Sequence, residues 1–152
     1  MSLFKRKPEK FFSPEENERI VEAIKQAERI TSGEVRVFIE SRCRFVNPLD
    51  RASEIFYGLK MEQTELRNGV LIYVALKDKQ LAMFADEGIY QKSGKEFWNE
   101  EVRIILSHFN KENYADGLVR VIGDAGAILA IHFPVDLDKD KNELPDDIVF
   151  GR

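Results

Sequence analysis

The chain has 152 residues, 43% hydrophobic and 33% charged, with a net charge of −4. That length fits one domain of roughly 100–200 residues, and the apolar fraction is too high for a disordered chain. The negative balance gives no global attraction to nucleic acid or an acidic membrane, no apolar stretch approaches the ~20 residues that span a bilayer, and one cysteine, Cys43, excludes an internal disulfide.

Residues 1–12 form a basic arm carrying Lys5, Arg6, Lys7 and Lys10. The opening Met-Ser-Leu-Phe-Lys-Arg-Lys-Pro turns charged at once and has no apolar signal region, so a cytoplasmic protein is expected. Ser13-Pro14-Glu15-Glu16 reads as a helix start: an N-cap serine, a proline at the first helical position and a capping-box glutamate. Ile20, Val21, Ile24, Ala27 and Ile30 give that helix one apolar face. Thr31-Ser32-Gly33 ends it, with Gly33 free to take positive φ.

Glu34 to Ser41 alternates, with Val35, Val37 and Ile39 on one side and Arg36, Phe38 and Glu40 on the other, which is a strand. After the turn Asn47-Pro48-Leu49-Asp50, with Asp50 as cap, a short helix carries Ala52, Ile55, Phe56 and Leu59. Asn68-Gly69 precedes Val70–Leu76, a nearly unbroken apolar run typical of a central strand. Leu81–Ala85 is the return strand of a hairpin. Asp86-Glu87-Gly88 is read as a second turn, followed by a helix from about Ser93 to Phe109 with Phe97, Val102, Ile105, Leu106 and Phe109 inward. A last helix runs from about Tyr114 to His132, where Gly123 and Gly126 suggest close packing and Pro134 is the stop. Residues 134–152 read as an acidic tail with Asp136, Asp138, Asp140, Asp146 and Asp147.

Strand, crossover helix and second strand make a right-handed parallel unit, and the hairpin adds an antiparallel strand. Helices on both faces give a three-layer α/β/α sandwich around a small mixed sheet, with the domain at residues 13–133. If strands 34–41 and 70–76 are parallel, their starts share one sheet edge, and strand 81–85 returns to it. Ser32-Gly33-Glu34, Arg67-Asn68-Gly69 and Asp86-Glu87-Gly88 then converge. Glycines permit close backbone approach, and carboxylates, an amide and carbonyls are hard oxygen ligands for Ca²⁺ or Mg²⁺. The same residues are also what three ordinary turns require.

Thr31-Ser32-Gly33-Glu34-Val35-Arg36-Val37, then Asn68-Gly69-Val70-Leu71-Ile72-Tyr73-Val74-Ala75, then Asp86-Glu87-Gly88-Ile89 resemble the TPM domain, over about Ser13 to Phe133. Asn68-Gly69-Val70-Leu71 is the most specific part of the resemblance. The resemblance implies a Rossmann-like sandwich and a divalent cation, usually calcium, near an acidic patch. It also implies acid phosphatase activity in some members and roles in membrane-complex repair or receptor assembly in others. Glu34, Asn68 and Asp86 fall at the matching positions, and Glu87 stands beside them. Two departures are visible. Asp86-Glu87-Gly88 replaces the usual Gly-Tyr-Gly, and the chain lacks the signal peptide and membrane helix of many relatives, which points to a free-standing cytoplasmic form.

Other motifs carry less. Asp136-Leu-Asp138-Lys-Asp140 resembles the start of an EF-hand loop, but Lys141 replaces its obligatory glycine. His108 and His132 lie late in helices, and Cys43 lacks a base nearby in sequence. No phosphate-binding loop, nucleophile elbow or zinc pattern is present. Three functions stay open: a divalent-cation-binding domain acting through protein partners, expected as a monomer; a metal-assisted phosphatase using Asp86 as ligand or nucleophile and Arg67 on the phosphate; and a structural module without a ligand.

Overall fold

The computed structural model describes residues 12–110, 113–135 and 148–151. The basic arm up to residue 11, the aspartates at 136–147 and the EF-hand-like segment lie outside the described residues. Nine elements follow in chain order: α1 (Pro14–Arg29), β1 (Glu34–Glu40), α2 (Pro48–Gly58), β2 (Gly69–Ala75), β3 (Gln80–Ala85), α3 (Glu87–Ser93), α4 (Lys95–Asn110), α5 (Tyr114–His132) and β4 (Val149–Phe150).

The sheet order is β3-β2-β1-β4. β1 pairs parallel with β2 from Glu34↔Gly69 to Glu40↔Ala75, and β3 pairs antiparallel with β2 from Val70↔Ala85. Every residue of β2 is buried, as its continuous apolar run requires when both faces are covered. Val35, Val37 and Ile39 join Val70, Ile72 and Val74 under α1, α4 and α5. Phe38, Leu71, Tyr73 and Ala82 face Ala52, Ile55 and Phe56 of α2. The alternation of β1 therefore sorts its side chains into two separate cores, and the three-layer sandwich with a mixed sheet stands.

The start of α1 is as read. Glu16 N–H donates to Ser13 Oγ at 3.1 Å, and Ser13 N–H donates to Glu16 Oε1 at 2.9 Å. Other local readings change. Asn47, not Asp50, caps α2, accepting from the Leu49 N–H at 2.9 Å, because Pro48 already occupies the first helical position. Gly33 does not take positive φ; among described glycines only Gly94 does, at 82°. The reason for glycine at position 33 is space, since a Cβ there would stand 2.8 Å from Leu129 Cδ2 and 3.0 Å from the Asn68 carbonyl oxygen. Close packing holds for Gly126, whose Cβ would meet that of Ala27 at 2.6 Å, but not for Gly123, which faces open space.

Asp86-Glu87-Gly88 is not a free turn. It opens α3, and the helical stretch that follows divides at Gly94 into α3 and α4. The buried stripe of α4 is Trp98, Glu101, Ile105 and Phe109, while Leu106 is exposed. Ile105 and Phe109 face inward as expected, and Phe97 and Val102 are partly buried against the same core. The tail reading also ends too early. Val149 and Phe150 pair with Phe38 and Ile39 as a short parallel edge strand, and Gly151 N–H donates to the Ile39 carbonyl. No helix of the described residues is long and apolar enough to cross a membrane.

Candidate cation site at the sheet edge

The expected convergence is present, and backbone bonds hold it. Glu34 N–H donates to the Asn68 carbonyl at 3.3 Å, Asp86 N–H to the Gly69 carbonyl at 2.9 Å, and Gly88 N–H to the Arg67 carbonyl at 2.8 Å. The Asp86 bond extends the β2–β3 register by one residue past the end of β3. Gly88 is required there, because a Cβ would stand 2.6 Å from the Arg67 carbonyl oxygen and overlap that of Leu66. Arg67 reaches its position with φ 52°, a left-handed conformation uncommon outside glycine.

The side chains make a tighter arrangement than the sequence suggested. Asp86 is 1% exposed. Arg67 grips its carboxylate with two bonds, Nε to Oδ2 at 2.8 Å and Nη2 to Oδ1 at 2.9 Å, and reaches Glu87 Oε1 from Nη1 at 3.1 Å. Asp86 Oδ1 also accepts from the Glu87 N–H at 2.8 Å, capping α3. The fork geometry of the guanidinium suits a carboxylate held in this way. The bond to Asp86 holds Arg67 still more firmly in its charged form, and the charges of Asp86 and Glu87 add to that. Asn68 is buried, with its amide Nδ2 3.4 Å from Ser32 Oγ. Glu34 is buried one strand further along, on the far side of Gly69 from Asp86. Two strand spacings separate their backbones, about 10 Å.

Asp86, Glu87 and Arg67 are thus in direct contact, Asn68 joins them through the backbone, and Glu34, bonded to Asn68 through its N–H, lies one strand further along. Among the described residues, no group of three or more His, Cys, Asp or Glu side chains is gathered to hold a metal. The donor set at the edge is nevertheless all oxygen, and a cation already sits on it: the Arg67 guanidinium. That side chain is 35% exposed. The two expected roles of Arg67 and Asp86, phosphate contact and nucleophile, fall on groups that here satisfy one another. What the sequence did not reveal was the Arg67–Asp86 pair itself. The available signal was an arginine directly before Asn-Gly at a strand start. Cys43 lies beyond the opposite end of β1, its N–H bonded to Asp78 Oδ2 at 2.8 Å, and His108 lies at the end of α4 beside Gly117.

Comparison with known proteins agrees with this fold. The TPM domain profile matches residues 6–128. The BA42 protein from the psychrophilic bacterium Bizionia argentinensis, solved by NMR, is 43% identical, with a TM-score of 0.85 over 94% of this chain and 97% of that one. The N-terminal domain of a P. gingivalis protein superimposes with a TM-score of 0.66 at 18% identity, over 84% of this chain and 83% of that one. The N-terminal domain of cg2496 from Corynebacterium glutamicum gives a TM-score of 0.57 at 12% identity, over 77% and 73%. At that identity the last two speak for the fold alone. No curated protein matches significantly. The profile covers most of the chain and BA42 nearly all of it, and the chain belongs to the TPM domain family.

Proposed function

We propose that this domain binds a hard divalent cation, calcium or magnesium, at the edge formed by Arg67–Gly69 and Asp86–Gly88, and acts through protein partners. The observation that carries the reading is the guanidinium seated on Asp86 and Glu87: the edge is already organised around a positive charge. Charge supports an exchange. Asp86, Glu87 and Arg67 sum to −1, and the two carboxylates alone sum to −2, which balances a divalent ion. Asp86 and Glu87 would hold the ion, with the Asn68 amide as a neutral oxygen donor. Bound there, it supplies a fixed double charge that orders the start of α3. Glu34 enters only as a more distant acidic neighbour. Tyr57, Leu66 and Tyr90 are large exposed side chains on or beside the elements that build this edge, and they support recognition by another protein. A cytoplasmic monomer accords with the single cysteine.

Isothermal titration with CaCl₂ and MgCl₂ tests the reading. The wild type binds one ion. Asp86→Asn abolishes the heat. Arg67→Gln binds more tightly, because the resident competitor is gone. Absence of binding in both the wild type and Arg67→Gln would reduce the edge to a structural salt bridge. Hydrolysis is a separate question, and no observation favours it while all three guanidinium nitrogens of Arg67 are engaged by carboxylates. Turnover of p-nitrophenyl phosphate that is lost in Asp86→Asn would establish it.

A further inference from the structure

The end of the sheet opposite Asp86 carries the other sign of charge. β1 and β2 finish together there, at Glu40↔Ala75. Their backbones stay bonded beyond that pair, Leu76 N–H to the Glu40 carbonyl at 3.0 Å and Lys77 N–H to the Ser41 carbonyl at 2.8 Å. Asp78 then ties the loop after β1 to the turn after β2. Its Oδ2 accepts from the Cys43 N–H at 2.8 Å, and its Oδ1 accepts from Arg42 Nη1 at 3.2 Å. Arg42, Arg44, Lys77 and Lys79, all exposed, are thereby gathered at one end of the molecule. The acids among them do not cancel them. Glu40 is buried and gripped by Arg51, and Asp78 gives both oxygens to the loop, with 24% of its side chain exposed. Asp50 and Glu54, the latter bonded to Arg51, are the exposed acids of the adjoining helix. Arg44 and Lys79 make no ion pair among the described residues.

Two further features belong to the same end. α2 opens there, at Asn47 and Pro48, so the positive end of its dipole adds to the field of the side chains. Val46, in the same loop, is 100% exposed, and Leu49 is exposed beside it. Open α/β sheets use the carboxyl ends of their parallel strands for binding. We propose that this end docks an acidic, extended segment of a partner protein, whose carboxylates meet Arg44, Lys79 and their neighbours and whose apolar side chains cover Val46 and Leu49. The inference deepens the reading that the domain acts through protein partners, and rests on it. Charge complementarity fixes the sign of the partner and steers its approach. The apolar pair selects a polypeptide over a nucleic acid, whose phosphate backbone has nothing to bury there.

Fluorescence anisotropy of the whole chain with labelled peptides tests this. The probes are Glu-Asp-Leu-Glu-Leu-Asp-Glu, the same peptide with serine for leucine, and the same peptide with lysine for every acid. The acidic leucine peptide is expected to bind. Replacing its leucines weakens binding about tenfold, and replacing its acids abolishes it. In the protein, Arg44→Glu with Lys79→Asp weakens binding at least about tenfold. Both positions are exposed, and aspartate tolerates the φ of 52° at position 79, so the fold is spared. Val46→Ser weakens binding about threefold, and raising NaCl from about 0.05 M to about 0.3 M weakens it about tenfold. Asp86→Asn binds the peptide as the wild type does, so loss of the cation site and loss of this surface are read separately. No binding of the acidic peptide at millimolar concentration, equal binding of the lysine peptide, or an affinity unmoved in the double variant would overturn the proposal. Tighter binding of single-stranded RNA at the same salt would overturn its assignment to a protein partner.

Discussion

Asp86 and Glu101 are both acids removed from water, at 1% and 5% exposure, and they are compensated in opposite ways. Asp86 has a guanidinium fixed on it by two hydrogen bonds, and an arginine cannot lose its charge at any relevant pH. Glu101 has no hydrogen-bond partner on its buried Oε1, and burial pushes its carboxyl up toward the neutral form. A third buried acid, Glu40, belongs to the first kind. It receives Arg51 Nε and Nη2, both at 2.9 Å, and the Tyr73 hydroxyl. The comparison shows that burial alone does not fix the state of a carboxyl group. What faces it decides whether a counter-charge is fixed on it.

The largest expected effect comes from removing a fixed counter-charge. Arg51→Ala leaves Glu40 buried beside Tyr73 without its cation, and should cost about 3 kcal/mol in urea unfolding at neutral pH. A loss under ~1 kcal/mol would show that Glu40 does not depend on this counter-charge. Next, Gly88→Ala pushes a methyl group into the Leu66 and Arg67 carbonyls and should cost about 2 kcal/mol, because backbone must shift to admit it. It should also weaken calcium binding if the two strand starts need their present spacing.

Glu101→Gln sharpens the contrast through pH. The folded carboxyl binds its proton more tightly than the unfolded one, so this group's contribution is complete below about 4.5 and is lost as pH rises through about 8. Wild-type stability should fall across that window by roughly 1–2 kcal/mol, after allowance for solvent screening at the rim. Glu101→Gln should remove that part of the slope. The smallest effect belongs to Gly123→Ala. Nothing lies within 4 Å of the added methyl, so α5 gains about 0.8 kcal/mol from helix propensity, measurable by thermal melting, while the pH slope stays as in the wild type.

Much of this fold is legible in the sequence, because β1 alternates cleanly, β2 is uniformly apolar and Ser13 to Glu16 spell a capping box. The meeting of three strand ends follows from parallel pairing alone. Three features are not legible, each for a physical reason. β4 has two residues and follows a polar stretch, too short for any period to show. The α4 stripe includes Glu101, a charged residue that a search for apolar spacing passes over. The grip of Arg67 on Asp86 depends on a left-handed φ at Arg67, which residue type does not encode, and on Asp86 capping α3, where the sequence suggested a turn.

The central claim is that the Asp86 edge exchanges its guanidinium for a divalent ion. Amide NMR of the wild type during a calcium titration tests it most directly. The account predicts shifts concentrated at Arg67–Gly69 and Asp86–Gly88, with the Arg67 side-chain Nε–H signal moving as it leaves the carboxylate, and no such shifts in Asp86→Asn. Shifts confined to other segments, or an Arg67 signal that stays in place at saturating calcium, would contradict it.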